Sequence, residues 1–383
     1  MIRLKNISFL WPLLVLFCCS VQKASAQKSS IQTADQKATK ETRKLYKNLH
    51  ALWGKAMLFG HQDDLAYGVG WKYEAGRSDV KELTGDYPAL IGWDAGGMER
   101  SSPNNIDGIP FKKMRQYIIH TYQKGGVTTL SWHMDNPYTG KNAWDTTSAA
   151  IPAILPGGKL HAQYKASLDV FARYMYSLKD TNGIAIPILF RPFHECTGSW
   201  FWWGAKQCTP AQFKLLFRFT VNYLREDKKV HNLIYVFNPA DFDTPEAYLE
   251  RYPGDEYVDV LSFDTYQYGA ADKGPAFREG LRSRLKIQEQ LAEEHHKIAA
   301  IGETGYVEIP DAQWWTNILW ESVKGFKVSY VLVWRNAGYR PVEKDNHYYA
   351  PYKGQVSAAN FLQFYQIPEV MFLNKARKSR LYQ

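Results

Sequence analysis

The chain has 383 residues, 45% of them hydrophobic and 22% charged, with a formal charge of +9. That balance excludes a disordered chain and leaves room for two average domains or one large barrel. The basic residues are scattered apart from a run at 375–380, the pattern of a solvated surface, so no nucleic-acid partner is expected. Aromatic residues reach 15%, with 25 Tyr and 13 Trp. This implies either a large aromatic core or a surface that stacks on flat ligand faces such as sugar rings.

At the N-terminus, Arg3 and Lys5 precede an apolar stretch over 7–19 that is too short to span a bilayer comfortably. Ala24, Ser25 and Ala26 then supply small residues for cleavage before Gln27. The expectation is a signal peptide at 1–26 and a periplasmic or secreted protein. Loss of Arg3, Lys5 and Lys23 leaves a mature charge of +6. Cys196 and Cys208 remain, a pair that permits a disulfide and equally permits free buried thiols. Two cysteines without clustered histidines do not make a zinc site. No later segment is long and apolar enough for a stable membrane span.

Residues 27–40 are polar and read as a flexible lead-in. Eight apolar runs follow, each the length of a buried strand, at 57–62, 88–94, 127–133, 186–195, 233–239, 258–266, 297–305 and 328–336. Amphipathic segments lie between them, among them 111–124, 211–226 and 278–295. Strands alternating with helices imply a parallel sheet, and eight units imply a single (β/α)8 barrel, here 41–375, with 376–383 as a basic tail. A doubly wound open sheet is the alternative. No glycine-rich nucleotide fingerprint follows the first run, which weakens it.

The runs end on His61, Asp94, His133, His194 with Glu195, Asn238, Asp264 with Tyr266, Glu303, and Trp334 with Arg335. In such a barrel the C-terminal strand ends form the active-site face. Glu195 and Glu303 end the fourth and seventh runs, which face each other across the mouth. Paired carboxylates across a cleft suit glycoside hydrolysis, one protonating the leaving oxygen and the other attacking the anomeric carbon. The competing reading pairs each glutamate with an arginine, such as Arg191 or Arg335. A metal hydrolase lacks a His-x-His pair in the first run, and a serine hydrolase lacks the G-x-S-x-G elbow. The segment "RPFHECTGSWFWWG" puts Trp200, Phe201, Trp202 and Trp203 just beyond Glu195. An indole covers the apolar face of a sugar ring, so Trp200 and Trp334 are candidate platforms, whereas one of Trp202 and Trp203 is expected beneath the loop.

The ordered set "GHQDDLAYGV", "SDVKELTGDYPALIGWD", "SWHMDNP", "RPFHECTGSWFWWG", "SFDTYQYG", "IGETG" and "VLVWRNA" resembles glycoside hydrolase family 26, chiefly its β-1,4-mannanases, over nearly the whole mature chain. The resemblance implies that Glu195 is the acid/base and Glu303 the nucleophile of a retaining enzyme. It also implies that His133, His194, Trp200, Asp264, Tyr266, Trp334 and Arg335 contact the substrate. The implied partners are β-mannan polysaccharides or manno-oligosaccharides, with β-1,3-xylan and mixed-linkage β-glucan as alternatives within the family. A glycan-binding barrel without catalysis is the rival of another class. No metal or organic cofactor is expected. Asn360, in "SAANF", stands where the resemblance leads one to expect an acid.

Overall fold

All eight apolar runs form strands. In the computed structural model, which describes residues 31–341 and 344–383, they are β1 (Met57–Gln62), β2 (Leu90–Asp94), β3 (Val127–Ser131) and β4 (Ile188–Arg191). There follow β5 (Leu233–Phe237), β6 (Val260–Leu261, resuming at Asp264–Gln267), β7 (Ile298–Ala299, resuming at Ile301–Tyr306) and β8 (Tyr330–Val333). Each strand pairs in parallel with the next. β8 pairs back onto β1, with Leu58 opposite Tyr330 and His61 opposite Val333. The sheet therefore closes into the expected (β/α)8 barrel, and the open-sheet alternative is excluded. The expected leader 1–26 and the first residues of the lead-in lie outside the described residues.

Successive side chains of a strand point to opposite faces. Leu58, Leu90, Leu189, Ile234, Val236, Ile298 and Leu332 pack as one buried cluster inside the ring. Their neighbours Phe59, Ile91, Leu130, Phe190, Tyr235 and Val331 join a second cluster beneath the helices. With both faces covered, the strands read as near-continuous apolar runs rather than as alternation. Helix α1 (Lys40–Leu52) precedes β1, and its Leu45, Tyr46 and Leu49 join the inner cluster, closing the N-terminal end of the barrel.

The crossovers carry α2 (Asp79–Thr84), α3 (Phe111–Gln123), α4 (His161–Ser177), α5 (Pro210–Asn222), α6 (Pro245–Leu249) and α7 (Gly274–Glu294). Of the segments expected to be helical, 111–124 is α3, and 211–226 is α5 with a wider π turn at Tyr223–Asp227. The segment 278–295 is α7, which starts four residues earlier, with Pro275 in the first turn where its missing N–H costs nothing. Thr209 and Gln212 close a reciprocal cap on α5. Between β7 and β8, Trp314–Trp320 winds as a π-helix. Asn360, on α8 (Ala358–Gln366), accepts from the Thr316 N–H and donates to the side chains of Gln313 and Thr316. An amide supplies both roles, which an ionised acid at this position does not. The chain ends in α9 (Leu373–Lys378). No helix among the described residues is long and apolar enough to cross a membrane.

Two boundaries differ from the sequence reading. The lead-in expected to be flexible over 27–40 is docked from Thr33 onward: Thr33, Asp35 and Ala38 are buried, and the Ala34 N–H reaches Asp259 Oδ1 at 2.6 Å. Its polar residues are spent on such bonds, including Asp35 on His231, so polarity did not mean solvation. The basic tail 376–383 is likewise part of the barrel. Leu381 is buried in the inner cluster, the Tyr382 hydroxyl donates to Gly126 O, and the Asn48 amide donates to the carbonyls of Arg380, Leu381 and Gln383.

Candidate active site

The register brings Asp94, Ser131 and Arg191 side by side at the C-terminal ends of β2, β3 and β4, and sets Glu303 of β7 beside Asp264 of β6. Alternation places Arg191 on the inner face with Leu189. It is fully buried, and its guanidinium donates to Glu303 Oε1 at 2.6 Å and to Asp264 Oδ2 at 3.4 Å. The Tyr266 hydroxyl donates to Glu303 Oε2 at 2.8 Å. Both oxygens of Glu303 are thus held by donors. The residue before it is glycine for a steric reason: a Cβ on Gly302 would lie 2.0 Å from Asn238 Oδ1 and 2.7 Å from Asp264 Oδ1.

Glu195 sits four residues past the end of β4. The chain turns sharply there, with Phe193 and Glu195 both in the left-handed region at φ 54° and 53°, a cost that surrounding structure must offset. The Glu195 N–H donates to Asn238 O at 2.7 Å, the Trp203 indole N–H donates to His194 O, and Phe193 packs among Trp202, Trp203 and Phe213. Trp202 and Trp203 are both buried beneath the loop, whereas Trp200 is 44% exposed and donates its N–H to Glu195 Oε2 at 2.5 Å. The aromatic run therefore has two tasks: its inner members clamp the strained turn, and Trp200 faces the acid.

One oxygen from each of Glu195, Asp264 and Glu303 lies within 4.8 Å of the other two. Arg191 bonds two of the three, so the protein supplies its own counter-charge here. Carboxyl groups about 5–5.5 Å apart suit retention, and the close approach of one oxygen from each of Glu195 and Glu303 is of that kind. Burial, then the Glu303 charge, push the Glu195 carboxyl up to about 7, against the pull of Trp200, His133 and Arg191. Asp264 is pushed well above the usual carboxylate range by burial and by Glu303, with Arg191 opposing.

A second chain of contacts runs along the other wall. Asp94 accepts from the Gly96 N–H, the Ser131 hydroxyl and the His133 N–H, and its Oδ2 lies 2.7 Å from His133 Nδ1. His133 Nε2 lies 3.2 Å from His194 Nε2. Burial works against a charge on His133, yet Asp94, joined by Glu303, raises its pKa. Burial, with His133 and Arg191, holds His194 well below its usual value. Of the two rings, His133 therefore takes a proton the more readily. Trp144, 48% exposed, stacks on His133 at 5.1 Å and 17°, and Trp334 lies edge-on to the same ring at 6.4 Å.

The structure thus gathers Glu195, Glu303, Asp264, Tyr266, His133, His194, Trp200 and Trp334. Arg335 lies at the edge of this group, bonded to Asp107 at 2.9 Å and to the Tyr67 hydroxyl at 3.3 Å. Of the two arginines considered as glutamate partners, Arg191 is one, for Glu303. His61 does not belong to the cleft: it shares the outer face of β1 with Phe59, is buried, and bonds Asp64. Asn238 supports from below through its carbonyl and its bond with Ser262. Cys196 and Cys208 are free buried thiols. The sequence reading missed Trp144, Tyr268 (77% exposed) and Tyr349, which packs on Tyr266. These stand on loops where no periodicity marks them. Arg191 was legible: two places beyond the inward Leu189, it had to point inward.

A (β/α)8 barrel with opposed carboxylates at the ends of β4 and β7 is the arrangement of a glycoside hydrolase. The chain belongs to glycosyl hydrolase family 26, whose sequence profile matches residues 34–332. It is similar to a mannan endo-1,4-beta-mannosidase from Bifidobacterium adolescentis, 38% identical over 290 residues, covering 74% of this chain and 29% of that protein. It is similar to another from Thermothelomyces thermophilus, 30% identical over 305 residues, covering 75% of this chain and 56% of that one. The chain therefore spans well under two thirds of the length of these curated relatives. Among solved structures, a GH26 beta-mannanase from Bacteroides ovatus superposes with a TM-score of 0.85 at 43% identity, covering 90% of this chain and 98% of the other. An endo-beta-1,4-mannanase from Cellulomonas fimi superposes at 0.82 with 34% identity, covering 90% and 78%.

Proposed function

We propose that the protein is a retaining endo-acting or mannobiose-releasing β-mannanase that cleaves β-1,4-mannosidic bonds in mannan, galactomannan or glucomannan. The observation that carries this is the pair Glu195 and Glu303, with oxygens within 4.8 Å across the cleft and unlike surroundings. Relatives named as mannan endo-1,4-beta-mannosidases support the substrate.

Glu195, pushed up to about 7 by burial and the Glu303 charge, holds a proton at mildly acidic pH and in part at neutral pH. It gives that proton to the glycosidic oxygen as the bond to the anomeric carbon breaks. Glu303, oriented by Arg191 and Tyr266, attacks that carbon from the opposite face and forms a glycosyl ester. Loss of its proton leaves Glu195 anionic, and the Trp200 N–H stabilises that anion. The same carboxylate then takes a proton from water, whose oxygen attacks the anomeric carbon and releases Glu303. Trp200, Trp334 and Trp144 offer apolar platforms for sugar faces. His133, His194, Asp264, Tyr266 and Arg335 contact the sugar or the groups that hold it. These steps draw on the side chains named and one water. The apolar run at 7–19, followed by small residues before Gln27, supports export through a cleaved leader to the periplasm or beyond.

Hydrolysis of mannan, mixed-linkage β-glucan and xylan, with glycan binding measured in parallel, tests the reading. Mannan is expected to be strongly preferred, because donors and acceptors set for the axial 2-hydroxyl stay unpaired with another sugar. Equal specific activity on β-glucan refutes the substrate. Binding without turnover refutes the enzyme.

A further inference from the structure

Asp94 ends β2 and is wholly buried, so it makes no contact with a sugar itself. Each of its oxygens faces two donors. Oδ1 accepts the Gly96 N–H at 2.6 Å and the His133 N–H at 3.1 Å. Oδ2 accepts the Ser131 hydroxyl at 2.7 Å and lies 2.7 Å from His133 Nδ1. Gly96 comes so near because it has no side chain: a Cβ there would lie 2.8 Å from Asp94 Oδ1. A carboxylate only accepts, so His133 Nδ1 carries a proton whether the ring is neutral or charged. Nε2 is then the nitrogen turned to His194, at 3.2 Å.

Other rings are set against that imidazole. Trp144 stacks on it at 5.1 Å, and His194, Phe201 and Trp334 meet it edge-on at 4.4, 5.2 and 6.4 Å. The tilt of His133 is therefore passed to Trp144 and Trp334, two of the platforms of the cleft. We infer that Asp94 is a positioning residue: its carboxylate holds His133 by the Nδ1–H and so fixes the tautomer and tilt of the ring against which Trp144, Trp334 and His194 are set. The sugar-facing part of this rests on reading the cleft as a mannan site. Burial opposes a charge on Asp94, yet His133 and the other donors hold its carboxyl well below the usual carboxylate range, as a group that only accepts requires.

Asp94→Asn reverses this arrangement without changing its shape. The Gly96 and His133 N–H groups can only donate, so the new amide keeps its oxygen toward them. Its NH2 then meets Ser131 and His133. The Ser131 Oγ also lies 3.3 Å from Trp93 O, so the hydroxyl can turn its proton there and accept. His133 has no such escape: Nδ1 must accept, and the ring proton moves to Nε2. Nitrogen NMR of the protein with labelled histidine rings reads this directly, because bare and protonated ring nitrogens resonate far apart; loss of signals in His133→Gln assigns them. Nδ1 is expected to be protonated in the wild type and bare in Asp94→Asn, with kcat/KM on mannotetraose lowered roughly ten- to a hundredfold. Ser131→Ala removes one bond to the same oxygen but leaves the carboxylate, and its kcat/KM is expected to stay within about threefold of the wild type. A bare Nδ1 in the wild type, or a protonated one in Asp94→Asn, overturns the inference, as does a loss of activity in Ser131→Ala as large as that in Asp94→Asn. The spectra need no substrate: a wild type that cuts no mannan refutes the proposed function, while the state of Nδ1 still decides what Asp94 holds.

Discussion

Replacing Trp200 by Phe keeps an apolar ring over the cleft and removes the N–H that meets Glu195 Oε2 at 2.5 Å. Trp200 is the strongest of the groups that pull the Glu195 titration down toward about 7. A hydrogen bond to a charged group contributes about 1.5–3 kcal/mol. At 1.36 kcal/mol per pH unit, that corresponds to roughly one to two pH units. The indole is 44% exposed, however, so water takes over part of its task, and about 0.5 to 1 pH unit is the discounted expectation. The sign follows from the donor: without it the anion is less favourable and Glu195 holds its proton more tightly. The alkaline limb of kcat/KM, which reports ionisation of the acid in the free enzyme, therefore moves upward in Trp200→Phe. The assay is a pH–rate series on mannotetraose for both proteins at fixed ionic strength. A limb that stays in place, or that moves to lower pH, refutes the reasoning.

Gly302→Ala puts a Cβ 2.0 Å from Asn238 Oδ1, among short buried side chains that have little room to yield. An overpacking cost of about 1–3 kcal/mol is expected, seen as a lowered Tm together with lost activity; an unchanged Tm contradicts it. Cys196 and Cys208 are buried, and burial pushes both thiols up. Alkylation of the chain from Gln27 onward without reductant should add no label to the folded protein and two to the unfolded one; none on the unfolded protein would mean a disulfide.

How far the sequence reached depended on the kind of signal. The strands were legible because burial on both faces gives runs such as 233–237 an unbroken apolar character, and the eight of them in alternation with helices imply closure. Glu195 and Glu303 were legible because polar residues at the ends of such runs have few other places to go. His61 shows the limit of that rule, since a strand end has an outer face too, and a partner three residues on satisfied the histidine. The docked ends of the chain were missed because Thr33, Asp35 and the 375–380 run are polar. Only the structure shows that Asp35 meets His231 and that Leu381 fills the barrel floor. Trp144 and Tyr268 were missed for another reason: a loop residue carries no periodicity, and its direction is set by packing at a distance. The polar chain of Asp63, Tyr67, Arg335 and Asp107 joins three separate connections, which no local pattern links.

The division of labour between the glutamates is tested most directly by azide rescue on a dinitrophenyl β-mannoside, a substrate whose leaving group needs little protonation. Glu195→Ala retains Glu303, so the glycosyl ester forms and then stalls for want of a base. Azide needs no base, attacks from the face that Glu195 has vacated, and should give the β-mannosyl azide. Glu303→Ala has no nucleophile, and azide filling its place should give the α-azide without any burst. The account predicts β-azide from Glu195→Ala and α-azide from Glu303→Ala; the reverse assignment of products contradicts it.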